Sequence, residues 1–141
     1  MCLIVDANLC SVIFKKTSDK TFQNLRQAIF SSHLTLVHGG KLTDEYYRAG
    51  VLDVIASLSR SGRAIKVSDA LIDAQLAIIE DSCTSDDQHV IALARANRRL
   101  GRVLCTNDEA LRCDFKNKAL VDEPRGTVYS PSLHKASIAN C

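Results

Sequence analysis

The chain opens on an apolar run, Cys-Leu-Ile-Val at residues 2–5, that ends at Asp6. It has no polar alternation and carries β-branched Ile4 and Val5, which predicts a strand buried on both faces. Leu9, Val12 and Ile13 then recur at helical spacing, and Phe22, Leu25 and Ile29 mark a second helix with Ser18 or Asp19 as its cap. Residues 34–37 predict a short strand stopped by Gly39-Gly40. Thr43 can cap the next helix, whose single stripe of Tyr47, Val51, Val54, Ile55 and Leu58 runs to Gly62. Residues 64–67 predict a third strand, and Ser68 caps a helix carrying Leu71, Ile72, Leu76, Ile78 and Ile79. Ser85 and Gln88 have the spacing of a capping box for a helix through Val90, Ile91, Leu93 and Leu100, closed by Gly101. Residues 102–105 predict a fourth buried strand, ended by Thr106-Asn107-Asp108, and a short helix with Ala110 and Leu111 follows. Residues 120–121 and 127–129 complete the set, so one domain spans residues 1–130 and 131–141 form a C-terminal tail.

Strands that alternate with helices imply an α/β fold with a central, mostly parallel sheet covered on both faces. Such sheets place their sites at the carboxyl ends of the strands. Asp6 and Asp108 each stand at such an end. Two further acidic positions open helices: Glu45 after the Gly39-Gly40 break, and the pair Asp86-Asp87 in the first turn after Ser85. Taken singly, each has an ordinary explanation. Acids in a first turn complement the helix dipole, and an Asp after a strand is a common turn former or cap.

Taken together, the acids restrict the chemistry. Three or four clustered carboxylates cannot all stay ionised without a cation. Oxygen ligands select Mg²⁺ or Mn²⁺ over Zn²⁺, and magnesium held by carboxylates is the usual arrangement for attack on a phosphate. Asp86 and Asp87 compete for one position. From Asp87 the residues at +3, +4 and +7 are Val90, Ile91 and Ala94, all apolar; from Asp86 they are His89, Val90 and Leu93. Helical geometry therefore turns Asp87 toward the more buried face.

These segments resemble the PIN domain family, metal-dependent nucleases that include many bacterial toxin ribonucleases. Residues 3–8, L-I-V-D-A-N, are similar to the family's opening strand and D-x-N; Glu45 follows the second strand; residues 87–94, D-Q-H-V-I-A-L-A, and 106–111, T-N-D-E-A-L, are similar to its later acidic motifs. The order and spacing cover residues 1–129. The resemblance implies a three-layer α/β/α fold and an Mg²⁺- or Mn²⁺-dependent endoribonuclease that cuts RNA with metal-activated water. It implies Asp6, Glu45, Asp87 and Asp108 as metal-holding and catalytic residues, with Asn8 and Thr106 hydrogen-bonding the carboxylates. Single-stranded RNA is the implied substrate. An antitoxin protein and a second copy of the chain are partners that the family allows. The alternative is a PIN-like fold that binds nucleic acid or protein without catalysis.

The remaining composition narrows this picture. The net charge is only +2, from 18 basic and 16 acidic residues, so a contact with RNA has to be a local patch. Arg95, Arg98, Arg99 and Arg102 are the candidate patch, and Lys15, Lys16 and Lys20 form a second basic cluster. The same arginines also suit the carboxyl end of a helix dipole. No Trp, three Tyr and four Phe leave little for base stacking. The six cysteines form no C-x-x-C and read as reduced thiols of a cytoplasmic protein, with no membrane span and no secretion signal at the start. His33, His38, His89 and His134 lack metal-pair spacing and read as surface or half-buried residues; Glu109 and Asp114 read as solvated. A receiver domain would want adjacent acids after the first strand and a late Lys, and a D-x-D phosphatase fails because residues 6–8 read D-A-N.

Overall fold

The computed structural model describes residues 2–16, 18–31, 34–97, 102–122 and 125–129, with the Arg102 side chain excluded. The expected helix end at Gly101, the tail at 131–141, and His33, His134 and Cys141 lie outside the described residues. Strands β1 (Cys2–Val5), β2 (Thr35–His38), β3 (Ala64–Lys66), β4 (Arg102–Cys105) and β5 (Thr127–Val128) form one sheet of order β3-β2-β1-β4-β5. Every pairing is parallel. Among the described residues seven helices flank it: α1 (Ala7–Phe14), α2 (Gln23–Phe30), α3 (Gly40–Arg48), α4 (Leu52–Arg60), α5 (Asp69–Ile79), α6 (Gln88–Ala96) and α7 (Glu109–Lys116). This is the three-layer α/β/α arrangement.

The central strand explains the layering. All four residues of β1 are buried, as the unbroken apolar run requires when helices cover both faces of a parallel sheet. β1 is also the point at which the strand order turns: β2 and β3 lie on one side of it, β4 and β5 on the other. In open α/β sheets the crevice beyond the carboxyl ends at that point is where ligands bind. Asp6 follows β1, and Thr106 and Asp108 follow β4.

The structure corrects several boundaries. The expected long helix with its stripe from Tyr47 is two helices, α3 and α4, separated at Gly50, whose φ of 72° suits glycine. Tyr46, not Tyr47, faces the core: Tyr46 is fully buried and Tyr47 is 71% exposed. Thr43 lies inside α3 rather than capping it, and Gly39 precedes that helix. Leu71 and Ile78 of α5 are exposed, so that helix buries less of itself than its composition suggests. Asp19 accepts from the Thr21 amide in a turn before α2 and caps no helix. Residues 120–121 are buried in turns and do not pair as a strand.

The helix α3, which carries Glu45, is set against the sheet through Gly39. A Cβ at Gly39 would lie 2.6 Å from the Val67 carbonyl oxygen and 2.8 Å from Ile72 Cδ1. Backbone cannot yield as a flexible side chain can, so Gly39→Ala is expected to cost about 1–3 kcal/mol. Urea unfolding measures this. An unchanged midpoint would mean that the β2–α3 junction tolerates a side chain and does not fix the approach of α3.

Candidate metal centre

Two structural links bring distant segments to the rim of the sheet. β1 and β4 pair along their whole length, from Cys2 opposite Arg102 to Val5 opposite Cys105, and the Asp6 amide continues the ladder by donating to the Cys105 carbonyl at 2.9 Å. This sets Asp6 beside Thr106. The Thr106 hydroxyl donates to Asp6 Oδ2 at 2.5 Å and accepts from the Asp108 amide at 3.0 Å. The second link is Tyr46. Its buried hydroxyl donates to the Val5 carbonyl oxygen, tying α3 to the end of β1. Burial holds the Tyr46 phenol well above its ordinary pKa, so it remains a donor.

Glu45, next to Tyr46, then meets α6. Glu45, Asp87 and His89 each offer one ligand atom, all within 4.8 Å of one another. An octahedral ion with bonds of about 2.1 Å spans about 4.2 Å between opposite ligands, so the three atoms are close enough to share one ion after small adjustments. Glu45 Oε1 and His89 Nε2 approach to 2.5 Å as an ion pair, and His89 is 8% exposed. The residues present fit a bound cation: two carboxylates and one buried imidazole whose ligand atoms converge.

Asp6 stands beside this group. It is 4% exposed, and its carboxyl is held above the usual carboxylate range. Burial is the main cause; the Thr106 hydrogen bond opposes it, and the charges of Asp87 and Glu45 add to it. Cys105 is pushed up to about 12, first by burial and then by the Asp6 charge, so it stays a neutral thiol and supplies no thiolate ligand.

The structure thus brings together Asp6, Glu45 and Asp87, and adds His89. Asp108 sits at the same rim, where its Oδ1 caps α7 by accepting from the Leu111 amide at 3.1 Å. Asn8 is exposed in the first turn of α1 and makes no side-chain hydrogen bond among the described residues. Asp86 is exposed. Asp87 precedes α6 as its N-terminal boundary, so the expected start at Ser85 is corrected: the Ser85 hydroxyl accepts from the Asp87 amide in a turn before the helix. Asp114, expected to be solvated, is 2% exposed and accepts from the Thr84 and Ser85 amides, which fixes the loop leading to Asp87. Arg95 is committed within the protein, donating to Gln75 Oε1 and to the Leu120 carbonyl. Arg98, Arg99 and the Arg102 side chain lie outside the described residues.

His89 is the residue that spacing analysis missed. It was expected at the surface or half-buried and turned away from Asp87; it is 8% exposed and touches Glu45. The signal was present in the unbroken apolar run of residues 90–94, all buried. A helix buried on every side leaves no solvent face for the residue before it. Likewise His38 is buried, with Nδ1 on Thr43 Oγ1 at 2.8 Å; burial holds its pKa down, with Lys66 adding to the effect.

No family model, curated protein or solved structure matches this chain. Among the described residues no helix is long and apolar enough to cross a membrane, and Cys2, Cys10, Cys83, Cys105 and Cys113 are free.

A raised pKa at Asp6 fixes a pH dependence. Well below pH 4 the group is protonated in the unfolded chain and the folded one alike, and costs nothing. As pH rises through the raised folded value, the metal-free protein loses stability that the Asp6→Asn variant does not lose. In EDTA the variant should therefore melt higher than wild type at pH 7, and the gap should close as the pH falls below about 4. Thermal melts across that range test it. A variant less stable at pH 7 would make Asp6 a structural cap instead.

Proposed function

We propose that this chain is a metal-dependent endoribonuclease of the PIN type, using a divalent cation such as Mg²⁺ or Mn²⁺. The observation that carries the reading is the convergence of Glu45, Asp87 and His89 at the turning point of a parallel sheet, with Asp6 beside them. When bound, such a cation lowers the pKa of a water and neutralises charge on phosphoryl oxygens. The chain's own residues prepare that chemistry. Thr106 and the β1–β4 ladder hold the Asp6 carboxylate in one orientation, and Tyr46 fixes the turn of α3 from which Glu45 reaches α6. Asp114 fixes the loop that delivers Asp87. Preset orientation matters because ligands held by outer hydrogen bonds keep both affinity and geometry. The order of the acidic segments along the chain supports the same reading.

The reading predicts RNA cleavage that EDTA abolishes and added Mg²⁺ or Mn²⁺ restores. Glu45→Gln and Asp87→Asn should each reduce cleavage about a hundredfold or more, beyond the loss usual for outer partners of a metal ligand. Asp86→Asn, one residue away and exposed, should cleave like wild type. Cleavage of a labelled single-stranded RNA measures all three. Undiminished cleavage by Glu45→Gln, or equal losses for Asp86→Asn and Asp87→Asn, would reject the assignment.

A further inference from the structure

An all-carboxylate site and a site that includes an imidazole do not select the same ion. Mg²⁺ takes oxygen ligands and keeps much of its water, whereas first-row transition ions accept nitrogen readily. In this chain the histidine in question is not peripheral. His89 lies on α6, the helix whose core-facing run leaves residues 89–94 all buried, and it is itself 8% exposed. Its Nε2 is aimed at Glu45 Oε1, 2.5 Å away. Asp87 completes the triangle within 4.8 Å.

We infer that His89 Nε2 is a metal ligand, and that this nitrogen makes the centre prefer Mn²⁺ or a similar first-row transition ion over Mg²⁺. The inference rests on the metal-binding half of the proposed function and is independent of what the protein cleaves. The competing account is that His89 and Glu45 form a simple ion pair that orients Glu45. Asp87 separates the two accounts. An ion pair needs only Glu45 and His89, and gives no role to a third ligand atom beside them. Here Asp87 brings a further ligand atom within 4.8 Å of both. Adjacent ligands on an octahedral ion with bonds of about 2.1 Å sit about 3 Å apart, so an ion requires these atoms to part by only about half an ångström. One cation would satisfy both atoms and the Asp87 carboxylate.

The test uses the full chain without RNA. Mn²⁺ and Mg²⁺ affinities are measured by calorimetry for wild type and His89→Gln, whose amide offers oxygen in place of ring nitrogen. Pulsed electron paramagnetic resonance of bound Mn²⁺ then reads ¹⁴N coupling. The expected result is an imidazole-type ¹⁴N coupling in wild type that vanishes in His89→Gln. Mn²⁺ affinity should fall about tenfold or more in the variant, and the preference for Mn²⁺ over Mg²⁺ should shrink. Bound Mn²⁺ without ¹⁴N coupling in wild type, or the same ion preference in both proteins, would overturn the inference. If His89→Gln does not fold, the wild-type spectrum decides alone. A protein that binds Mn²⁺ through nitrogen but cuts no RNA upholds this inference and refutes the ribonuclease reading. A protein that binds neither ion refutes both.

Discussion

The pairing of β1 with β4 is the constraint on which the candidate centre depends. These strands are adjacent in the sheet but separated by about a hundred residues of chain, and their register runs through all four positions of each. A slip of one residue would turn every side chain to the opposite face. It would also part Asp6 from Thr106, whose hydrogen bond needs both residues one step past their strands. The buried aliphatic side chains of β1 hold that register, so the hydrophobic effect fixes the position of a carboxylate that it would otherwise exclude.

The opposing force is electrostatic. Asp6 is buried and feels the charges of Asp87 and Glu45, and its carboxyl is correspondingly harder to ionise. No basic side chain offsets this through the hydrogen bonds described: Arg95, the basic residue of α6, is spent on Gln75 and Leu120. A fold that gathers three carboxylates at its rim is destabilised by their mutual repulsion unless something positive joins them. Binding of an ion by the folded state alone repays this cost by mass action. The same arrangement that weakens the metal-free protein could hold a cation at Glu45, Asp87 and His89.

Much of the frame was legible in the sequence, because it follows from local rules. An unbroken apolar run predicts a buried parallel strand, and β1, β2, β3 and β4 appear within a residue or two of their expected positions. Asp6, Thr106 and Asp108 follow from where those strands end. What was not legible depends on three-dimensional packing. Tyr46 and Tyr47 are neighbours of one type, and only the break at Gly50 decides which faces inward. Asp114 reads as a surface acid, but the loop at residues 84–85 brings two amides to it from thirty residues away. Ser85 has the spacing of a capping box, yet the helix begins at Gln88 because the Ser85 hydroxyl is already engaged in the preceding turn. His89 lacks a partner histidine at helical spacing, and spacing analysis cannot see that Glu45 arrives from another helix.

The central claim is that Glu45, Asp87 and His89 form one metal centre at the junction of β1 and β4. The most direct test is a crystal structure of the protein grown with Mn²⁺, with anomalous diffraction locating the ion. The account predicts one strong anomalous peak bonded to Glu45, to Asp87 and to His89 Nε2 at about 2.1–2.3 Å, with Asp6 beside it. A fully occupied Mn²⁺ elsewhere, or no peak at this rim at saturating Mn²⁺, would contradict it.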